Sequence, residues 1–292
     1  MNRKLNHLFS EADHLAIDEK TKIVIMSDCH RGSGDNYDNF VKNKNIYEAA
    51  LRRYYSLGFT YIELGDGDDM WEVKHYKDIV SQHLSTFKLL KKFWDAKRFI
   101  MIYGNHDICK NKPSIVTTNF YSYYDKATKQ SKDLFVGLKP KEALVLDYKG
   151  YAIFLLHGHQ VDIFNSTFWR LSRFLVRHVW RPLESIGLKD PTSAAKNYRG
   201  TKRTDKKLEK WSTKKQNAII AGHTHRPIYP EVGHSLYFND GTCIHPDGIT
   251  CIEIENGKIT LVKWSFQLKN DTIISVGREI LEGPESLLHF WK

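Results

Sequence analysis

Apolar residues fall into short β-branched runs, each closed by a polar or glycine-containing cluster: KIVIMSD (22–28), FTYIELGD (59–66), RFIMIYGNHD (98–107), YAIFLLHGH (151–159) and NAIIAGHTH (217–225). Runs of this length bounded by turn residues predict strands. Being nearly continuous in apolar character, they predict burial on both faces. Residues 43–57 and 73–94 repeat with helical period between the first three runs, giving a βαβαβ beginning. EALVLDYKGYAIFLLH and ITCIEIENGKITLVKW each set two alternating runs around Lys149-Gly150 or Asn256-Gly257, the signature of a hairpin. Parallel units followed by hairpins predict a mixed α/β sandwich.

Residues 160 to about 215 interrupt this pattern, with no strand signal and many Arg, Lys and Trp, and read as a helical insertion in a single domain spanning 1–292. Phe164, Phe168, Leu171, Leu175 and Val179 share one helical face, and Arg170, Arg173, Arg177 and Arg181 the opposite one. Trp169, Phe174 and Trp180 lie outside the apolar stripe. Aromatics beside arginines favour a phosphate-bearing, partly apolar ligand or a membrane surface, which makes Arg170, Arg173 and Arg177 candidate substrate contacts. The basic run Lys196–Lys215 reads equally well as a solvated helix face. Residues 265–292 end in SLLHFWK, whose apolar side chains suit docking on the body or a dimer contact.

Composition changes little of this. At 292 residues with 41% hydrophobic and 27% charged, the chain is ordinary for a soluble globular protein. The net charge of +10 points to anionic partners: phosphates, nucleic acid or anionic lipid headgroups. Four cysteines without a C-x-x-C pair, and a start that lacks the apolar core of a secretory signal, predict a reducing, cytoplasmic setting. No apolar run approaches the roughly 20 residues that span a bilayer, which leaves peripheral membrane contact open.

The chemistry sits at the strand ends. Asp28 and His30 close the first run, Asp66 follows Gly65, Asn105 and His106 follow Gly104, His157 ends the fourth, and His223 and His225 follow Gly222. In open α/β sheets the carboxyl ends of strands share one crevice. In an extended segment residues i and i+2 point to one side, so Asp28 with His30, and His223 with His225, each aim two donors at one place. Carboxylate, amide and imidazole donors suit Mn, Fe, Zn and similar ions rather than Ca or soft copper. Asp28, His30, Asp66, Asn105, His157, His223 and His225 are too many for one tetrahedral ion and about right for two sharing a carboxylate. The preceding glycines allow close backbone approach. Arg31 and Arg226 each follow a candidate ligand, placed for bidentate phosphate contact or a structural ion pair. Alternation turns Cys29 away, buried and inert, and His159 and His245 read as core or surface histidines.

SDCH, GDGDD, GNHD, LHGH and GHTHRP together resemble the five blocks of calcineurin-like metallophosphoesterases, in order, over residues 23–227. The resemblance implies a four-layer α/β/β/α sandwich of mixed sheets with a helical lid. It places one ion on Asp28, His30, Asp66 and His225, the other on Asp66, Asn105, His157 and His223, with Asp66 bridging. It implies two divalent or mixed-valence ions, Mn or Fe first, with Zn, Co or Ni as alternatives, and attack by a metal-activated hydroxide. His106, oriented by Asp107, would stabilise the transition state or protonate the leaving oxygen, while Asp69 orders the loop or a ligand. GHTHRP, the HG block before an insertion and the chain length are also similar to the UDP-2,3-diacylglucosamine pyrophosphatase branch, whose lid covers a lipid-linked nucleotide. That branch commonly carries Arg at the place of His106 and Asp at that of His159. The function expected is hydrolysis of a phosphodiester or pyrophosphate bond in a nucleotide or lipid-linked nucleotide. Its alternatives are a nuclease on DNA or RNA, a phosphomonoesterase or protein phosphatase, and a non-catalytic scaffold.

Overall fold

Alternation along β2 (Lys22–Met26) sends Ile23 and Ile25 to one side and Val24 and Met26 to the other, all fully buried. Both faces of this strand are therefore covered, as its unbroken apolar run requires. The computed structural model describes residues 2–35, 38–73, 75–162, 198–269 and 273–291. Within them β2 pairs in parallel with β3 (Thr60–Leu64), and β3 with β4 (Phe99–Ile102). Antiparallel β11 (Ile249–Glu255), β12 (Lys258–Lys269) and β13 (Ile273–Ser286) extend the sheet to six strands in the order β13-β12-β11-β2-β3-β4. A second, five-stranded sheet runs β1 (Asp13–Ile17), β7 (Ala143–Tyr148), β8 (Tyr151–Leu156), β9 (Ala218–Ala221) and β10 (Tyr237–Asn239). A separate hairpin pairs β5 (Ser122–Asp125) with β6 (Gln130–Asp133).

Period-two patterning divides the core into three layers. Ile23, Ile25, Ile62 and Leu64 of the first sheet meet Leu144, Leu146, Ile153 and Leu155 of the second. Val24, Met26, Tyr61 and Met101 face outward onto α2 (Lys44–Ser56), α4 (Leu84–Asp95) and α5 (Pro113–Phe120) through Tyr47, Leu51, Phe87, Leu90 and Phe120. Val145, Phe154 and Leu156 pack on Leu5 of α1 (Asn2–Glu11) and on Leu208 and Trp211 of α6 (Tyr198–Lys215). The layers are thus α/β/β/α, and β2, β3 and β4 with their helices form the expected βαβαβ unit. Both expected hairpins close on two residues with positive φ, Lys149-Gly150 between Tyr148 and Tyr151, and Asn256-Gly257 between Glu255 and Lys258. That is the turn whose twist matches paired strands.

One expectation changes and another is decided. The helical period over 73–94 is divided into α3 (Tyr76–Gln82) and α4 by His83, a buried residue whose Nε2 lies 2.7 Å from Asp38 Oδ2. The basic run ending at Lys215 belongs to α6, which packs Leu208 and Trp211 into the core and leaves Lys202, Lys206, Lys210 and Lys214 on the exposed side. Its charges are a helix's solvated face, one of the readings that the run allowed. The amphipathic stripe with Arg170, Arg173 and Arg177 lies outside the described residues. The C-terminal segment docks on the body, with Leu287 and Phe290 buried between the sheets and Trp291 Nε1 donating to the Gln216 carbonyl at 2.9 Å.

Candidate metal centre

β2, β3 and β4 in one sheet, and β8 and β9 in the other, end at the same edge, and the residues just past each end converge there. The convergence is not built on extended backbone. Asp28 (φ 53°), His30 (47°), Asp66 (49°), His223 (68°) and His225 (56°) all lie in the left-handed region. For residues other than glycine this is uncommon, and such strain, about 1–3 kcal/mol each, persists only where surroundings hold it. Here the loops hold one another: Asp28 N donates to Gly65 O, His30 N to Asp66 O, and Cys243 N to Asp28 O. The same-side placement expected from strand alternation is achieved, but by left-handed residues spaced two apart. Glycine at 104 is required by contact, since a Cβ there would sit 2.1 Å from Asp66 Oδ1.

Among the described residues three groups of donors result: Asp28 with His30 and His225, Asp66 with His157 and His223, both made of expected ligands, and a third of His30 with Asp69 and His106. His225 Nε2 is 3.0 Å from Asp28 Oδ1, and His30 Nε2 is 3.6 Å from the same oxygen. Asp66 Oδ2 lies 3.1 Å from His157 Nε2 and 3.9 Å from His30 Nε2, between the first two groups. Its Oδ1 accepts the His106 amide at 2.8 Å. Burial would raise Asp66, yet the imidazoles of His157, His106 and His30 hold it well below the usual carboxylate range. Burial would likewise lower His157, but Asp66 and Asp28 carry it up to about 9. His225 is lowered, chiefly by burial.

Asp28 Oδ1, Asn105 Oδ1 and His157 Nε2 are buried and make no hydrogen bond, although Asp28 Oδ1 faces His225 at 3.0 Å and His157 Nε2 faces Asp66 at 3.1 Å as ion pairs. Orphaned polar atoms are expensive in an interior, and three here belong to three different loops of one centre. Carboxylate, amide and imidazole atoms left open in this way fit divalent transition-metal ions.

A family model described as calcineurin-like phosphoesterase matches residues 21–227. The chain belongs to the calcineurin-like phosphoesterase family. It is accordingly a phosphoester-hydrolysing enzyme of a family that uses divalent metals. No curated protein matches it. Among solved structures it is similar to a predicted phosphoesterase from Streptococcus pneumoniae TIGR4, at 16% identity over 90% of this chain and 99% of the other, with TM-score 0.36. Vacuolar Protein Sorting 29 from Cryptosporidium Parvum gives 14% identity, 91% and 100% coverage and TM-score 0.43. A novel archaeal phosphodiesterase gives 18% identity, 89% and 100% coverage and TM-score 0.32. Likeness at this level carries no argument about substrate or partners.

In this calcineurin-like phosphoesterase, two expected roles are redistributed. Asp107 does not touch the His106 ring; its carboxylate accepts the Gly104 amide at 2.6 Å and Lys110 Nζ at 2.7 Å. Asp69 takes the orienting place, with Oδ1 3.2 Å from His106 Nδ1 and Oδ2 3.8 Å from His30 Nδ1. Arg31 is fully buried and does not face the cleft, its Nε donating to Asp68 Oδ1 at 2.7 Å and its Nη1 lying 2.8 Å from Glu63 Oε2. Lys110, also buried, joins the same network at 2.6 Å from Asp68 Oδ2. Burial would raise Asp68, but Arg31 and Lys110 hold it at about 2. Arg226 remains at the rim, half-exposed, with Nη1 3.9 Å from Asp205 Oδ2. Cys29 is buried, as is His159, while His245 is exposed.

Sequence reasoning missed Trp71, which stacks on His106 with ring centroids 4.3 Å apart and 21° between planes. The signal was present, an aromatic directly after GDGDDM in a polar loop. It also missed Asp162, whose Oδ2 is 3.5 Å from His223 Nε2.

Proposed function

We propose that the chain is a dinuclear metal-dependent phosphohydrolase acting on a phosphodiester or pyrophosphate bond of a nucleotide or lipid-linked nucleotide. The observation that carries this is Asp66, whose Oδ2 lies between the two donor groups while Oδ1 is tied to the His106 amide. Asp28, His30, Asp66 and His225 would hold one ion and Asp66, Asn105, His157 and His223 the other, Mn or Fe before Zn, Co or Ni. Bound there, the pair would supply Lewis-acid charge to the phosphoryl oxygens and acidify a water.

The chain's own part is orientation and proton transfer. Trp71 fixes the plane of the His106 ring, and Asp69 at Nδ1 leaves Nε2 for the leaving oxygen. The ring sits in the cleft partly open to solvent, as a group that must meet substrate does. Arg226 at the rim offers a phosphate contact. We further read residues 1–292 as one domain. Four buried free cysteines support a reducing, cytoplasmic setting, and no helix among the described residues is long and apolar enough to cross a membrane.

Substituting Asp66→Asn tests the assignment: hydrolysis should be abolished and metal content, measured on purified protein, should fall. A fully active Asp66→Asn enzyme would sink it. A second reading, a nuclease, is favoured by the exposed lysines at four-residue spacing on α6. Cleavage of single-stranded DNA and RNA against bis-p-nitrophenyl phosphate and UDP-linked lipids, at two salt concentrations, separates the two.

A further inference from the structure

We infer that Ser27 and Asp240 form a hydrogen-bond relay that positions the Asp28 carboxylate, with Asp240 as the neutral acid at its far end. The inference rests on reading Asp28 as a metal ligand. Ser27 Oγ contacts Asp28 Oδ2 and lies 2.7 Å from Asp240 Oδ1, with all three residues fully buried. A serine hydroxyl carries one proton. It can donate to one of these carboxyls only, so the other contact is a hydrogen bond only if that carboxyl supplies a proton.

The surroundings decide which. Asp28 is ringed by donors: His223 N gives to Oδ2 at 2.9 Å, and His225 Nε2 is 3.0 Å from Oδ1. Asp28 Oδ1 makes no hydrogen bond of its own but faces the His225 and His30 imidazoles at 3.0 and 3.6 Å, whereas among the described residues neither a hydrogen bond nor an ion pair reaches Asp240 Oδ2. An ionised carboxylate left with a bare oxygen in an interior is strongly disfavoured, whereas a protonated one is not. Burial, and then the charge of Asp28, push Asp240 well above the ordinary carboxyl range, in keeping with this. The chain of bonds is then Asp240 O–H to Ser27 Oγ, and Ser27 O–H to Asp28 Oδ2.

Its effect is on geometry. With Oδ2 held by Ser27 and by the His223 amide, the Asp28 carboxylate cannot rotate, and Oδ1 stays turned to the imidazoles. The relay also joins three loops, because Asp240 N donates to Ala221 O at 3.0 Å and Thr242 Oγ1 to Asp28 O at 3.1 Å. Glycine at 222 makes room for it: a Cβ there would lie 2.2 Å from Ser27 Oγ. Asp240 stands beyond the segment that matches the family model, residues 21–227. It is a positioning residue supplied from outside the five blocks.

The test is Mn²⁺ affinity, by titration calorimetry on the full-length chain after chelator stripping and dialysis, beside circular dichroism and the melting temperature of each metal-free variant. Ser27→Ala and Asp240→Leu should weaken binding about 10–100-fold, the usual effect of removing a group that orients a ligand. Asp240→Asn, whose amide can donate to Ser27 Oγ, should bind close to wild type; a purely structural carboxyl would give no such rescue. Infrared spectra should show a protonated-carboxyl band in wild type that disappears in Asp240→Asn. Its absence from wild type overturns the neutral acid. If Asp240→Leu does not fold, Ser27→Ala carries the affinity test. Asp28→Ala is the control. Wild-type affinity there defeats the ligand reading itself, while loss there with normal binding by Ser27→Ala defeats the relay alone.

Discussion

His106 is where neighbouring residues divide the labour most finely. Its sequence neighbour Asp107 was the natural partner, yet a side chain one position away in a turn points elsewhere, and Asp107 serves the backbone of Gly104 and the ammonium of Lys110. The ring is held by Asp69 and Trp71, from another loop. His106→Ala should therefore lower turnover about 10²–10⁴-fold with metal content unchanged. Asp69→Asn should lower it in the same direction without emptying the site, and Asp107→Asn should chiefly reduce thermal stability. Steady-state kinetics with metal analysis on the three variants would check this, and an Asp107→Asn enzyme that matches His106→Ala in turnover at unchanged stability would reverse the assignment. Residue types and spacing made the seven candidate ligands legible. The left-handed backbone at five of them was not, because alternation rules describe extended chain and nothing in Asp28 or His225 themselves announces a positive φ.

The loops after β2, β3 and β4 are bound underneath by Arg31, Glu63, Asp68, Asp107 and Lys110. These elements were legible from apolar runs, but their cross-links were not: Arg31 reads equally as a phosphate contact or a structural ion pair from its place beside His30, and only packing decides for the ion pair. β1 and β10 were missed for a related reason, since short strands that depend on a parallel neighbour carry little pattern of their own. Removing one partner from a buried ionic cluster leaves its counter-charges uncompensated, at about 3–5 kcal/mol. Arg31→Met and Lys110→Met should each lower the melting temperature by roughly 10 °C for a chain of this size, by calorimetry. KM below the transition should stay near wild type, because neither side chain reaches the cleft. A large rise in KM for Arg31→Met with unchanged melting would restore it as a substrate contact.

Across the whole molecule, two sheets packed face to face bring two sets of strand ends to one edge, and the same centre couples folding to protons and metal. In metal-free protein His157 titrates at about 9, against roughly 6.5 for an unfolded histidine. A raised histidine stabilises the fold fully below the unfolded value, and that contribution is lost as pH rises through the folded one. The loss is on the order of 3 kcal/mol, all of it between about pH 6.5 and 9. Its origin is the pairing of His157 with Asp66 and Asp28, so the share of the Asp66 lowering that comes from His157 is the same interaction and is not counted again. A metal ion requires neutral imidazole and displaces this proton, so binding tightens over the interval in which the metal-free fold weakens. Melting temperature followed by pH should thus fall from 6.5 to 9 in excess chelator. With saturating Mn²⁺ it should hold level or rise, since about a hundredfold excess over Kd adds roughly 2.7 kcal/mol. Parallel curves with and without metal would mean that His157 binds no ion, and the second donor group would have to be reassigned.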